Sequence, residues 1–530
     1  MRVALGGVLL AALALRLAEI GHGLPYVFNA DEELHFVAIA ARMIEDSTLN
    51  PGYFENPPGL TYVFYLLFRA GIGWDGARAF AHDPESAFLV ARVLVAFIGT
   101  LVAGLAYWAG TRFVDRRAGI VAASLLAFTF LPVFYSKHAL NDVVTLAPLT
   151  VGLVACLWVY ERGTPAAWLV AGAAIGAATA TKYTAGAMLA TLGVAALARV
   201  LEKRSAPLRE ILGLAAAGAA FGAVFVFMNP FALVDLSEFK SQVGGQSAQA
   251  GGTKLGQEDV PGWIYYLWTF TWGFGVLPAL AAVAGAVLLV RRDRARALLL
   301  IVFPVLLFLF LGGQGRFFGR WMLPAYPALA VLAGYAVVRA VDALRTSPSR
   351  RAWALAGATA LLVAQGVAAS VRVGETLSHD DTRVIARAWL VEHVPRGAKI
   401  VVEPFIPDGF LNAGGLDGPP AWDRFPVKRP FQAYEKKLNP ALVDTYRRGG
   451  YCFVVTGSHQ KERGLEAGLQ GARAYYERLD RESAGKVVIS PYRADADPVG
   501  FNFDSSFNYR PRAFARPGPL VEIHRLGDCR

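Results

Sequence analysis

Charge is what this chain has least of. Asp, Glu, Lys and Arg make up 18% of its 530 residues, against 55% hydrophobic, where soluble domains carry roughly 25% charged residues. That balance excludes an ordinary water-soluble protein and fits an integral membrane protein with a smaller soluble portion. Cysteine is nearly absent as well. Cys156, Cys452 and Cys529 are the whole set, which excludes a disulfide framework and any cysteine-based metal spacing. Cys156 falls in an apolar run. Cys452 and Cys529 fall in the polar tail, where a bridge and two buried thiols are both open readings. No internal repeat is visible. The first apolar stretch lacks a small-residue cleavage site before its charged exit, which predicts a retained anchor rather than a signal peptide. The net charge of +11 does not call for nucleic acid, because most of the excess sits in short loops between apolar runs.

What the chain has in quantity is apolar length. Runs with little or no charge recur at about 3–20, 87–110, 118–135, 143–160, 166–181, 184–198, 211–228, 273–290, 297–313, 321–338 and 352–371. Each is near the roughly 17–25 residues of a spanning helix. The two short runs around Lys182 read as a broken pair or a re-entrant feature. Leu60–Phe68 is too short to span and reads as interfacial. The loops sort by charge. Those at Arg112–Arg117, Arg199–Arg209, Arg291–Arg296 and Arg339–Arg351 are basic, whereas segment 21–86 holds nine Asp/Glu against three Arg. By the positive-inside rule the basic loops are cytoplasmic. Eleven crossings then put the N-terminus inside and everything after Val371 outside.

From about 372 to 530 the chain is polar, with Pro/Gly-rich loops at Pro404–Pro420 and Pro491–Pro498. Asp381–His393 has helical periodicity, and Lys399–Glu403, Tyr451–Thr456, Lys486–Ser490 and Leu520–Arg525 read as short strands. The organisation expected is therefore a polytopic α-helical membrane domain over 1–371 and a soluble extracytoplasmic α/β domain over 372–530.

The residues that carry chemistry gather at the external rim. After the first run comes Asn29-Ala30-Asp31-Glu32-Glu33. Asn29 is a good N-cap and Glu32 stands three residues later, a capping box that opens a helix over 31–46. Asp31 then sits in a first turn, where the helix dipole favours the ionised form that a general base needs. Further along the loop, Asn56-Pro57-Pro58-Gly59 stiffens a turn. Tyr135-Ser136-Lys137-His138-Ala139-Leu140-Asn141-Asp142 brings a Lys, a His and an Asp to one membrane surface. A lone histidine such as His138 is more often interfacial than a ligand. Lys182, Arg316 and Arg320 are cations in otherwise base-poor external loops, and together they call for an anion such as a phosphate. Segment 229–262 reads as a long external loop whose stretch from Gly244-Gly245 to Lys254, rich in Gly, Gln and Ser, reads as mobile, and Trp263, Tyr265, Tyr266, Trp268 and Trp272 follow, most of them as an interfacial belt.

The order of these motifs resembles the glycosyltransferase family 39 type of GT-C enzymes, which includes protein O-mannosyltransferases and aminoarabinose lipid A transferases. The likeness runs over about residues 1–345. It rests on the acidic pair after the first span, on Pro57-Pro58, and on Asp142 at the mouth of a later span. Thr181-Lys182-Tyr183-Thr184 and Arg320-Trp321-Met322-Leu323-Pro324-Ala325-Tyr326-Pro327 complete it. The resemblance implies a polyprenyl-phosphate-linked sugar donor used on the external face, with a lipid, glycan or protein acceptor. It implies that Asp31 is the catalytic aspartate, Glu32 its acidic neighbour and Asp142 the second acidic position. Lys182, Arg316 and Arg320 would hold the donor phosphate, with His138 and Tyr183 beside them. Two departures matter. Asn56 stands where aminoarabinose transferases commonly carry Lys before Pro-Pro, and the Trp-Trp-Asp motif of oligosaccharyltransferases is absent, which argues against en bloc glycan transfer.

The function expected is inverting sugar transfer at the plasma membrane, with Asp31 as general base. No cofactor is demanded. A divalent cation is compatible with Asp31, Glu32, Asp142 and His138, but nothing in their spacing requires one. Two rivals stand beside it. A multi-pass lipid transporter would carry charges within its spans, as Arg16 and Arg92 do. A non-catalytic assembly subunit would not need Asp31.

Overall fold

The computed structural model describes residues 2–257, 260–407, 409–427, 434–502, 504, 509 and 511–529. Eight helical stretches are long and apolar enough to cross a membrane. They are Glu85–Phe113, Asn141–Arg162, Tyr183–Glu202, Pro207–Met228, Gly262–Arg292, Arg294–Gly312, Gly319–Ala343 and Pro348–His393. The chain is a multi-span membrane protein. Three of the eleven expected spans fall outside that set. Two are the shorter apolar helices Val3–Leu17 and Pro165–Thr179. The third is a broken pair, Arg116–Phe128 and Phe130–Tyr135.

The break at Thr129 explains one of the two charges buried in an apolar run. Arg16 donates to the carbonyls of Leu126 and Ala127, both at 2.8 Å, and to Ser136 Oγ at 3.1 Å. A helix that ends inside the bundle leaves carbonyls that need donors, and Arg16 supplies them. Small residues let the spanning helices close up. A Cβ on Gly172 would lie 2.0 Å from the Ala217 carbonyl oxygen, and one on Gly285 would lie 1.9 Å from that of Leu332.

Two expectations for the loops between the apolar runs are corrected. The single helix over 31–46 is two pieces, Ala30–Leu34 and Val37–Glu45. They are separated at Phe36, whose φ of 43° lies where a bulky residue is strained; its ring is buried, and packing holds it there. Segment 229–262 is not simply a long loop, and most of the stretch read as mobile, Gly244 to Lys254, is helical. It contains the helices Phe231–Val234 and Leu236–Gly251. The second rests on the loop after the first apolar helix, where Gln242 accepts from Phe54 N–H at 2.5 Å and donates to the Gly52 carbonyl at 3.2 Å. Tertiary hydrogen bonds there outweigh the poor helix propensity of Gly244 and Gly245.

The C-terminal region carries a five-stranded mixed sheet in the order β2-β1-β3-β5-β4. The strands are β1 (Lys399–Val402), β2 (Asp423–Arg424), β3 (Phe453–Gly457), β4 (Gly485–Ile489) and β5 (Val521–Arg525). β1 runs parallel to β2 and β3, and β5 is antiparallel to β3 and β4. Helix Thr382–His393, N-capped by Asp381, covers one face with Ala386 and Leu390. The other face packs on Val443, Tyr446, Tyr475 and Leu479. Cys452 and Cys529 are disulfide-bonded across 77 residues, which resolves the two readings left open for them. Tyr26 and Phe28, from the loop after the first apolar helix, insert against Phe410 at ring separations of 4.6 and 5.7 Å. Arg383 caps Phe28 at 3.9 Å. The sheet region is thus fastened to the loop that carries Asp31.

Candidate active site

The site begins with a helix cap. Asn29 Oδ1 accepts from the N–H of Asp31 at 3.1 Å and of Glu32 at 3.2 Å, fixing the first turn of Ala30–Leu34. Successive side chains on a helix point about 100° apart, so the two acids part company. Glu32 turns inward and is fully buried. Its carboxylate takes the Arg92 guanidinium in a bidentate pair at 2.7 and 2.9 Å and the Ala139 N–H at 2.8 Å. Arg92 also donates to the carbonyls of Ile20 and His22. Burial pushes the Glu32 carboxyl up, but the Arg92 charge outweighs it and holds the pKa below the usual range. This pair staples the first loop to helix Glu85–Phe113, and it accounts for the second charge found in an apolar run.

Asp31 faces the other way, with 40% of its side chain exposed. It pairs with Arg320, which stands at the start of the span Gly319–Ala343. The Arg320 Nε lies 3.7 Å from Asp142 Oδ2, and Lys182 Nζ donates to Asp142 Oδ1 at 2.5 Å. Carboxylate and cation therefore alternate in the order Asp31, Arg320, Asp142, Lys182. Asp142 is buried; Asp31 is the carboxylate that opens outward. Burial raises its pKa, yet Arg320 first, then His35 and Lys254, pull it below the ordinary carboxylate value. It is ionised at neutral pH.

Arg316 stands beside the cluster. Its main-chain N–H donates to the Ala250 carbonyl at 3.1 Å and its NH1 to Gln249 at 3.3 Å. Its buried Nε has no hydrogen-bond partner among the described residues, leaving a donor for an incoming anion. Tyr183 donates its hydroxyl to the Phe54 carbonyl at 2.9 Å and so holds the chain just before Pro57-Pro58. His138 is not brought to the cluster. Its Nδ1 lies 3.1 Å from the Phe134 carbonyl and its ring meets the edge of His22. Both line a separate cavity of about 320 Å³ behind Glu32.

Sequence reasoning missed four contributors. His35 follows Asp31 by four residues, a helical spacing that was there to be read. Its ring stacks on Tyr53 at 4.8 Å, and burial lowers its pKa despite Asp31. Lys254 lies over the Phe318 ring at 4.5 Å, and burial drives its pKa well down. Asp504 accepts the Gly319 N–H at 2.7 Å, and Tyr509 shares a hydrogen bond with Tyr135 at 2.9 Å. No local pattern marks the last three, because each reaches the site only through long-range folding.

Comparison with known proteins fits this geometry. Residues 83–228 match the family model described as dolichyl-phosphate-mannose-protein mannosyltransferase. No curated protein matches the chain by sequence. Among solved structures, the oligosaccharyltransferase AglB of Archaeoglobus fulgidus, in complex with an inhibitory peptide and a dolichol-phosphate, is similar at 14% identity and a TM-score of 0.54. The similarity covers 92% of this chain and 73% of that one. The same archaeal enzyme in a complex with Zn and sulfate gives 16% identity and a TM-score of 0.52 over 91% and 72%. ArnT of Cupriavidus metallidurans is similar at 16% identity and a TM-score of 0.50, over 99% of both chains. The chain has the fold of the GT-C glycosyltransferases, and the resemblance seen in its motifs is borne out.

Proposed function

We propose that this chain is an inverting glycosyltransferase that moves a sugar from a polyprenyl-phosphate donor to an acceptor on the extracytoplasmic face, with Asp31 as general base. The single observation that carries the reading is the alternating cluster, in which the one outward-opening carboxylate lies against cations that suit a phosphate. AglB was solved with a dolichol-phosphate, and a lipid phosphate is the ligand that Arg320, Lys182 and the free Nε of Arg316 would take here. The donor's tail lies between spans. An acceptor hydroxyl or amine attacks the anomeric carbon in line, Asp31 takes its proton, and the bond from that carbon to the phosphate oxygen breaks. The phosphate leaves as an anion on its lipid, so no protonated acid is needed, and the anomeric configuration inverts.

Asp142 keeps Lys182 and Arg320 charged and oriented rather than touching the acceptor. Glu32, buried against Arg92, is structural: it holds the loop to helix Glu85–Phe113. No step requires a metal: Arg320 and Lys182 already supply the positive charge that a divalent ion would bring to Asp31 and Asp142. The described acid–histidine group Asp480, Glu522 and His524 is likewise met by cations, with Lys486 at 2.8 and 2.9 Å and Lys461 at 2.7 Å. The transporter reading loses its support, since Arg16 and Arg92 serve as a helix cap and a structural pair. The disulfide fits a sheet region held on the oxidising, external side.

The test is an in vitro transfer assay with a panel of polyprenyl-phosphate sugars, read by acceptor mass. Asp31→Asn keeps shape but cannot accept a proton, and transfer should fall at least about a hundredfold while the protein stays folded. Full activity in that variant would sink the assignment.

A further inference from the structure

At the end of the bundle opposite Asp31, three basic loops meet around a cavity of about 340 Å³. The two ends are fixed by one helix: Gly319–Ala343 carries Arg320 near its start and Arg339 near its finish. Four arginines and three aspartates line this cavity, but the charges are not evenly spent. Arg117 is consumed by Asp115 and Asp342 at 2.8 and 2.6 Å. Arg296 is consumed by Glu161 at 3.1 Å and Asp293 at 3.6 Å. Arg292 and Arg339 remain. Both are exposed, both line the cavity, and neither forms an ion pair among the described residues.

Leu289 and Val338, both buried, belong to the apolar part of a lining that is otherwise largely charged. On either side of Leu289 and outside the cavity lining, Leu288 and Val290 are 40% and 39% exposed. Two such guanidinium groups at the rim of a cavity at the end of the spans, next to the exposed apolar side chains Leu288 and Val290 on the same helix, match one ligand chemistry, a phosphodiester with hydrocarbon attached. A soluble anion would need the charge but not the neighbouring apolar surface.

We propose that this cavity is a binding site for the headgroup of an anionic phospholipid in the leaflet opposite the catalytic site, held by Arg292 and Arg339. Basic pockets between helices at a cytoplasmic surface have the charge and depth for such headgroups. The site is separate from the Asp31 cluster and does not depend on the reaction proposed there.

The test is native mass spectrometry of the full chain in detergent. It is titrated in turn with a diphosphatidylglycerol, a phosphatidylglycerol, a phosphatidylcholine and inorganic phosphate. The wild type should retain the two anionic lipids and not phosphatidylcholine. The double variant Arg292→Gln/Arg339→Gln should retain them at least about tenfold more weakly, which corresponds to 1.4 kcal/mol or more. Arg292→Lys/Arg339→Lys keeps the charges and should stay within a few-fold of wild type, separating loss of a ligand from loss of fold. Equal lipid retention by wild type and the Gln variant would overturn the proposal. So would capture of inorganic phosphate at these arginines with no preference for lipid.

Discussion

Asp31 and Glu32 share a helical turn and have opposite fates, and the difference is testable by stability. Glu32 is half of a buried ion pair. Removing one partner leaves an uncompensated charge, a loss of about 3–5 kcal/mol. Glu32→Gln should therefore lower the melting temperature and reduce transfer only in proportion to the folded protein that remains. Asp31→Asn should do the reverse, sparing stability and removing transfer. If both variants lose activity at full stability, Glu32 belongs to the chemistry. The pH profile adds a second check. The Asp31 pKa is held down in the folded protein, so the base is ionised above that depressed value and is lost only as pH falls through it. The acid limb of kcat/KM should lie below the range of a free aspartate, about 3.9. Lys254 is one of the charges that depress it, and Lys254→Met should move the limb upward. On the donor side, Lys182→Ala and Arg320→Ala should each weaken donor binding by on the order of 1.5–3 kcal/mol, because a desolvated phosphate loses a charge-assisted partner. Chelation should leave transfer within about twofold, less than any effect assigned to general base catalysis.

Elements with a period or a cap are legible in the sequence itself. Thr382–His393 and its cap Asp381, and strands β1, β3, β4 and β5, stand within two residues of their sequence boundaries. The reason is local: alternation, β-branched residues and turn residues at the ends. β2 is invisible in the sequence because two residues, Asp423 and Arg424, carry no periodic signal and join the sheet only by pairing with β1. The site follows the same division. Asp31, Asp142, Lys182 and Arg320 stand out by type and by position at the rim, and they meet. Their order in space is not readable from the chain, and neither is the contribution of the C-terminal segment. Asp504 lies 185 residues from Gly319, whose N–H it accepts. That contact fixes the turn that aims Arg320, so the element can be probed from its far side. Asp504→Ala orphans a buried N–H, at a cost of about 1–3 kcal/mol, and should weaken donor binding as Arg320 loses its aim. Asp504→Asn retains an acceptor oxygen and should restore most of both. A transfer assay with a melting curve separates the two variants, and equal behaviour would show that the contact does not position Arg320.

At the scale of the whole molecule, the sidedness of the chain follows from several features that have no contact with one another. Basic loops cluster at one end of the bundle, where residues 113–117, 289–296 and 335–342 surround a single cavity. The Asp31 cluster lies at the other end, beyond a helix of 25 residues, roughly the thickness of a bilayer at 1.5 Å per residue. The sheet region joins that second end through Tyr26 and Phe28, and its cysteines are bridged, a state that persists in oxidising compartments. Basic loops on the cytoplasmic side would leave both the Asp31 cluster and the sheet outside. A reporter active only outside the cytoplasm, fused after Ser378 where helix Pro348–Leu377 ends, should give signal. The same reporter fused at Ser205, between the spans Tyr183–Glu202 and Pro207–Met228, should give none. A cytoplasmic reporter should give the converse pattern. Blocking of the Cys452–Cys529 bridge by Cys452→Ser should lower stability by about 2–4 kcal/mol when the protein is made with its tail outside. The same substitution should have little effect on protein made in a reducing compartment, where the bridge never forms. If both fusions report the same side, the charge-based orientation fails, and Asp31 faces a compartment other than the one in which its acceptor is proposed to lie.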